Sequence, residues 1–221
     1  LGGDPTRIQI VYPRQHFTKF STGFSTGVIS SKVADKVDFT AYHQTNGRDL
    51  SQSIFAPFGA GYPANAGVDI QARNHTDLVT NGLRAEATKV FSRDIIVYGV
   101  DYFHDDATGR DSSSTTVFGF GPPKPKAKVK PSLPSATLGS VGVFLQNDLR
   151  LHERLSLIVG GRWQQVKSDA RATTGFTTVP PGDVQSTTVF AVNSLYKLTS
   201  QLNLVASVGK GFRAPNLVER Y

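Results

Sequence analysis

The cluster in this sequence that most resembles a metal site is one histidine beside two aspartates. His104, Asp105 and Asp106 carry imidazole and carboxylate groups, which transition metals accept as ligands. The three residues are adjacent, fall in a polar segment and have no second histidine nearby, which is more typical of solvated side chains. We therefore expect no metal site and keep His104 as a candidate for direct ligand contact.

Two arginines occupy positions from which a guanidinium group could contact an anionic ligand. Arg162 lies on the polar side of an alternating segment, and Arg213 follows Phe212 where another alternating segment ends. Because proline cannot donate to a β-ladder, Pro215 is expected to end strand pairing there. Arg162 could instead form a structural ion pair, and Phe212 and Arg213 could simply end a strand, so both interpretations stay open.

Catalytic constellations are missing from the sequence. We find no Ser/His/Asp or Cys/His arrangement, no phosphate-binding glycine loop and no paired carboxylates in apolar surroundings. The chain contains no cysteine, which rules out disulfides and cysteine-ligated zinc. We predict that the protein is not an enzyme and carries no cofactor.

Basic residues outnumber acidic ones, and the formal net charge of +7 raises the question of nucleic-acid binding. The one local concentration is a lysine-rich segment, Lys124 to Lys130, in which lysine alternates with proline, alanine and valine. No recognised nucleic-acid-binding module accompanies this charge. We therefore predict no nucleic-acid partner.

Alternation with a period of two runs through most of the chain, and no amphipathic helical stretch of useful length appears. Successive side chains of a strand point to opposite sides, so this pattern predicts walls with one apolar and one mostly polar surface. The alternation is clearest from Arg154 to Trp163. The predicted strands are His16 to Ser30, Lys36 to Asn46, Asp69 to Val90, Asp94 to His104, Thr137 to Leu151, Arg154 to Arg171, Ser186 to Leu198 and Gln201 to Phe212.

Tight and long connections alternate strictly between these eight predicted strands. The long connections span residues 47–68, 105–136 and 172–185, and the lysine-rich segment lies in the second. Transmembrane β-barrels alternate in this way, whereas a soluble sandwich with Greek-key connections has no reason to do so. The alternation therefore favours a barrel.

Transmembrane helices are excluded, because no run of eighteen apolar residues exists in the 221-residue chain. That excludes helical membrane proteins only, since a barrel strand presents just every second residue to lipid. The sequence contains no methionine, even at position 1, so we expect it to begin inside a longer protein or at a processing site.

Four segments, taken together, resemble the β-barrel of TonB-dependent outer-membrane receptors. Ile96 to Asp106 resembles the strand that enters a large apical loop, and Val143 to Asp148 resembles the strand that returns from it. Leu155 to Trp163 resembles the next strand. Gly209 to Leu217 resembles the family's Phe-Arg-Ala-Pro box, which is the most specific of the four. Their order and hairpin spacing are those of the family.

The resemblance implies an all-β fold, an antiparallel up-and-down transmembrane β-barrel of about 22 strands around a plug domain. It implies uptake of a scarce ligand (a ferric siderophore, haem or cobalamin) across the bacterial outer membrane, driven by TonB. Residues 1–221 would form a partial barrel of about eight strands, without the plug and its TonB-contacting box. The Asn-Pro-x-Leu motif of haem receptors is absent too, as is the histidine that precedes it.

The resemblance also assigns roles to residues in this chain. Phe212, Arg213, Arg162 and His104 become candidates for ligand contact, outer-membrane lipid becomes a partner, and the loop lysines could attract anionic siderophores. Two alternatives remain: a passive porin, and a small structural barrel of eight strands that closes on itself. Glycines and bulky polar groups on the inward faces count against closure. As an isolated piece, the chain is expected to form an open sheet with two unpaired edges.

Overall fold

A single antiparallel sheet dominates the computed structural model, which describes residues 7–220. Each strand pairs with the next in sequence, except that β4 pairs with both β5 and β6. Within these residues no helix is long and apolar enough to cross a membrane. The elements are β1 (Arg7–Ser25), β2 (Lys36–Pro57), β3 (Gly67–Val90), β4 (Asp94–Phe118), β5 (Lys126–Val129), β6 (Ala136–His152), β7 (Leu155–Ala170), β8 (Asp183–Lys197), β9 (Asn203–Lys210) and α1 (Leu217–Arg220).

The predicted all-β, up-and-down architecture is confirmed as an open, partial sheet with β1 and β9 at its edges. The predicted strand extents are less accurate. β2 continues to Pro57 and β4 to Phe118, so much of the two expected loops is strand. In these segments the backbone N–H and C=O groups form hydrogen bonds with the neighbouring strand. Such pairing of backbone groups does not require an apolar face.

The lysine-rich segment, which the sequence places in a long connection, contributes the short strand β5. The other end of the sheet also departs from the prediction. β1 ends at Ser25 and not at Ser30, and residues 26–35 form a turn in which Lys89 Nζ donates to Asp35 Oδ1 at 2.8 Å. This hydrogen bond lowers the pKa of the Asp35 carboxyl group.

Register divides the sheet into two faces of different chemistry. Ala41, Leu83, Tyr102 and Val141 lie side by side on one face, which we call the apolar face. The opposite side is called the polar face. Side chains on the apolar face that remain at least 40 % exposed include Phe39, Leu83, Val100, Tyr102, Val143, Leu145, Trp163, Phe190, Leu204 and Val208.

Burial is greatest on the polar face, which reverses the arrangement of a water-soluble protein. Ser140 and Ser168 are each 2 % exposed, and Val166 beside them is 6 % exposed. Side chains on the inside of a curved sheet crowd together, so this pattern indicates that the sheet curves around its polar face. The apolar face is therefore the convex one.

Glycines on the polar face let large side chains lie flat across the neighbouring strand. A Cβ atom added to Gly82 would come within 2.1 Å of the Tyr42 ring, and one at Gly142 within 2.2 Å of the Arg162 guanidinium. A Cβ atom added to Gly99 would come within 2.3 Å of Ala85 O and within 2.8 Å of the Phe144 ring. Any larger residue at these positions would displace the side chain that covers it.

We expect Gly82→Ala to lower the free energy of unfolding by about 1–3 kcal/mol, because its methyl group would overlap Tyr42. Gly160→Ala is the matched control: it lies on the same face, its nearest neighbour is Leu145 O at 3.7 Å, and its effect should stay below about 0.5 kcal/mol. Urea unfolding of the detergent-solubilised protein measures both. Equal losses for the two variants would contradict the tight fit at Gly82.

Candidate functional site

A cavity of about 290 Å³ lies on the polar face where the long hairpins extend beyond the apolar band. Strand register places two rows of residues on its floor, Arg48 beside Thr76 and Leu50 beside Asn74. Asp111 of β4 continues the second row. The cavity walls thus combine an arginine, an amide and a carboxylate with apolar side chains.

The segment between β5 and β6 closes one side of this cavity. The backbone N–H of Ser132 donates to Asp111 Oδ2, and Asn74 Nδ2 donates to Ser132 Oγ at 3.4 Å. Leu133 and Pro134 add apolar surface. These contacts hold two polar side chains, Asn74 and Asp111, at the edge of the cavity.

β5 carries two lysines on the polar face next to this cavity. Lys128 pairs in register with Ser113 and Lys126 with Thr115. A second hollow of about 420 Å³ joins Lys128 to Asn74 and Asp111. Neither Lys126 nor Lys128 forms an ion pair within residues 7–220. The polar face therefore has surplus positive charge at this end of the sheet.

After β9 the chain turns back to this cavity through the predicted Phe-Arg-Ala-Pro segment. Asn216 begins α1 with a reciprocal capping box: its Oδ1 accepts from the Glu219 N–H at 2.9 Å, and Glu219 Oε2 accepts from the Asn216 N–H at 3.0 Å. Leu217 then reaches the cavity wall. Leu217 links the sequence motif to the cavity.

Two ion pairs hold α1 in place. Arg213 pairs with Glu219, and Arg220 pairs with Asp183 of β8. The backbone hydrogen bond from Asn216, followed by the bond from Arg213, lowers the pKa of the Glu219 carboxyl group. Arg213 is thus engaged with Glu219, although its side chain is still 76 % exposed.

Arg162 forms a structural ion pair in the middle of the polar face. Its Nη2 donates to Asp101 Oδ1 at 2.7 Å, and its Nη1 donates to Asp101 Oδ2 at 2.5 Å. Its Nε donates to Gln164, whose side-chain amide donates to Ser140 Oγ at 3.0 Å. The guanidinium is therefore mostly committed to neighbouring side chains.

His104, the last residue of a predicted strand, lies inside β4, which continues to Phe118. It is on the apolar face, level with Asn81 of β3, whereas Arg162 is on the polar face. The structure therefore does not bring His104, Arg162 and Arg213 together. Among the described residues no group of three His, Cys, Asp or Glu side chains could hold a metal ion.

Sequence reasoning missed the residues that form the cavity. Asn74, Asp111 and Ser132 are far apart in the chain, and only the strand register brings them together. A local signal did exist for α1, since Asn216 and Glu219 have the spacing of a capping box.

Comparison with known proteins identifies the family. The sequence matches the family described as "TonB dependent receptor-like, beta-barrel" over residues 3–221. The chain belongs to this family. TonB-dependent receptors are transport proteins with outer-membrane β-barrels and not enzymes, so the predictions of fold and of no enzyme activity are confirmed. No curated protein sequence matches the chain.

One solved transporter structure shares the fold of this chain. The copper transporter OprC superposes with a TM-score of 0.67 at 17 % identity, covering 94 % of this chain and 31 % of that chain. The siderophore receptor PiuA from Acinetobacter baumannii gives a TM-score of 0.49 at 10 % identity, covering 84 % of this chain and 31 % of its own. The chain of this TonB-dependent receptor barrel thus spans about a third of the length of these proteins.

The Glu219 capping box predicts a pH dependence. A carboxyl group with a lowered pKa stabilises the folded arrangement above its unfolded pKa, and this contribution is lost as the pH falls through the folded value. Backbone amides of α1 should therefore exchange hydrogen faster when the pH drops from about 6 to about 3, after correction for intrinsic exchange. Glu219→Gln should give fast exchange already at the higher pH.

Glu153→Gln, in the turn between β6 and β7, is the control for this pH experiment. It should leave exchange in α1 and its pH dependence unchanged. Corrected exchange that is the same at both pH values in the native protein would contradict the role of Glu219. Arg213, Arg220 and Asp183 also carry charge at α1, and the comparison with Glu219→Gln separates the contribution of Glu219 from theirs.

Removing the central ion pair should destabilise the barrel wall. Arg162→Ala leaves Asp101, whose side chain is 21 % exposed, without its partner and should cost about 2 kcal/mol in urea unfolding. Arg84→Ala is the control, because Arg84 pairs with Glu86 on the same face with a 55 % exposed side chain and should cost less than about 1 kcal/mol. Equal losses would show that burial does not strengthen the Arg162 pair.

Proposed function

We propose that this chain is part of the barrel wall of a TonB-dependent receptor in the bacterial outer membrane. The observation that carries the proposal is the exposed apolar face, since no described segment covers it and the family match gives it a membrane context. Hydrocarbon tails would cover that face, and the polar face would line the barrel lumen. The plug that contacts TonB would come from sequence outside this chain.

The transported ligand in this proposal is a small, scarce nutrient of the ferric siderophore, haem or cobalamin class. The cavity beneath α1 lies on the lumenal face at the end of the long hairpins, where a ligand would arrive from outside. Lys126 and Lys128 face the same side and have no carboxylate partner among the described residues. Their charge favours anionic members of the class, because a basic funnel raises the local concentration of anions.

The test is uptake of iron-55 ferric citrate, an anionic chelate, by cells that express the receptor containing this chain. Uptake should require energised TonB, which distinguishes a receptor from a passive porin. Lys126→Glu combined with Lys128→Glu should lower the initial uptake rate about tenfold, because attraction of the anion becomes repulsion.

A matched control reverses the charge of two lysines at the opposite end of the sheet that form no ion pair within residues 7–220. Lys32 and Lys197 lie at the short-turn end, and their double replacement by glutamate should change uptake less than about twofold. TonB-independent uptake would overturn the receptor assignment. TonB-dependent uptake that responds equally to both double variants would overturn the role of the β5 lysines alone.

A further inference from the structure

A second hollow of about 500 Å³ lies on the opposite side of the sheet from the cavity. Strand register places Asp49, His75 and Arg110 in one row and Ser51, Arg73 and Ser112 in the next, all on the side of the apolar face. These residues lie beyond the apolar band. We call this hollow the outward pocket. The sheet separates it from the proposed ligand route.

His75 is held as an imidazolium by its two hydrogen-bond partners. Its Nδ1 contacts Asp49 Oδ1, and its Nε2 lies 2.8 Å from Asp77 Oδ2. Ionised carboxylates only accept hydrogen bonds, so both ring nitrogens must carry a proton. The bonds to Asp49 and then Asp77 raise the pKa of this imidazole, which lies outside the apolar band.

Two arginines then give the outward pocket an excess of hydrogen-bond donors and of positive charge. Arg110 contacts Asp77 Oδ2 through one nitrogen at 3.3 Å, and its side chain is 77 % exposed. Arg73 is exposed and forms no ion pair within residues 7–220. Ser51 and Ser112 flank Arg73 in register. Three cations thus face two carboxylates, and most guanidinium N–H groups remain available.

Phosphate is the anion that this combination suits best. A guanidinium group binds phosphate oxygens through two parallel N–H donors, and neighbouring hydroxyl groups can donate to the remaining oxygens. Arg73 and Arg110 lie on adjacent strands in neighbouring rows, within reach of one tetrahedral group. The two aspartates are already bonded to His75 and Arg110, which limits their repulsion of a bound anion.

The height of the outward pocket above the membrane determines which phosphate-bearing lipid can reach it. The eight steps from Tyr102, the last apolar residue of the band on β4, to Arg110 cover about 26 Å along the strand. A tilt of about 40° turns this into about 20 Å along the membrane normal. The headgroup layer of a phospholipid leaflet is only about 5–8 Å thick. A phospholipid phosphate would therefore lie too low.

We propose that the outward pocket binds a phosphate group on the extended sugar headgroup of an outer-leaflet glycolipid. This inference rests on the proposed function, because the membrane supplies the ligand. The arginines would anchor the receptor laterally to the surface glycolipid, on the side away from the transported nutrient. Asp49 and Asp77 set the orientation of His75 and Arg110 and do not contact the phosphate.

The experiment measures binding of the intact detergent-purified receptor to nanodiscs that contain a glycolipid with a phosphorylated core oligosaccharide. Arg73→Ala combined with Arg110→Ala should weaken this binding about tenfold or more. Arg73→Lys with Arg110→Lys keeps the charge but loses the planar donor pair, so its loss should be smaller than that of the alanine variant. The control, Lys32→Ala with Lys197→Ala, removes two cations at the other end of the sheet, and binding should stay within about twofold of the native protein.

Other lipids and free phosphate distinguish the sources of the anion. Nanodiscs with the dephosphorylated glycolipid, or with phosphatidylglycerol, should bind at least about tenfold more weakly than the phosphorylated glycolipid. Equal binding to either one would overturn the proposal, and so would equal losses for the alanine variant and its control. Inorganic phosphate that binds as tightly as the glycolipid would identify a free-phosphate site instead.

Failure of this proposal can be told apart from failure of the proposed function. Native-like folding of every variant is checked by the heat-dependent mobility shift of the barrel on gels. TonB-dependent uptake is measured separately. If the receptor transports normally but does not bind the glycolipid phosphate, only the proposal for the outward pocket is wrong.

Discussion

The structure depends on keeping the apolar face of the sheet out of contact with water. No described part of the chain covers this face. Phe39, Val100, Val143 and Trp163 are all at least 40 % exposed, whereas the serines on the other face are nearly inaccessible. Burial of apolar area is the main favourable contribution to folding, so this arrangement is stable only where hydrocarbon replaces water on that face. The family match supplies such a setting.

On the polar face the side chains must form hydrogen bonds and packing contacts with one another. These contacts include the Arg162–Asp101 ion pair, the Gln164–Ser140 hydrogen bond and large side chains that lie flat over glycines. Beyond the apolar band neither face needs to be apolar, and both carry charged groups. The polar face has Lys126 and Lys128, which form no ion pair within residues 7–220, and the opposite side has Arg73 and Arg110. The same strands thus present two chemically distinct surfaces to two different environments.

Strand bounds were predicted most accurately for strands that have one apolar face. β7 was predicted as Arg154 to Arg171 and extends from Leu155 to Ala170. The ends of β2 and β4 were missed because the alternation of apolar and polar residues is lost beyond the band, while backbone pairing continues. The two pockets could not be predicted, since each depends on the register of three or more strands.

The most direct test of the account is whether lipid tails touch the apolar face. A fluorophore is attached to a single cysteine at Val143 or at Gln164, neighbouring positions on opposite faces, in a receptor otherwise free of cysteine and reconstituted in lipid. Lipids brominated in their acyl chains should quench the label at Val143 strongly and leave the label at Gln164 nearly unchanged. Equal quenching at the two sites, or none at Val143, would show that something other than hydrocarbon covers the apolar face.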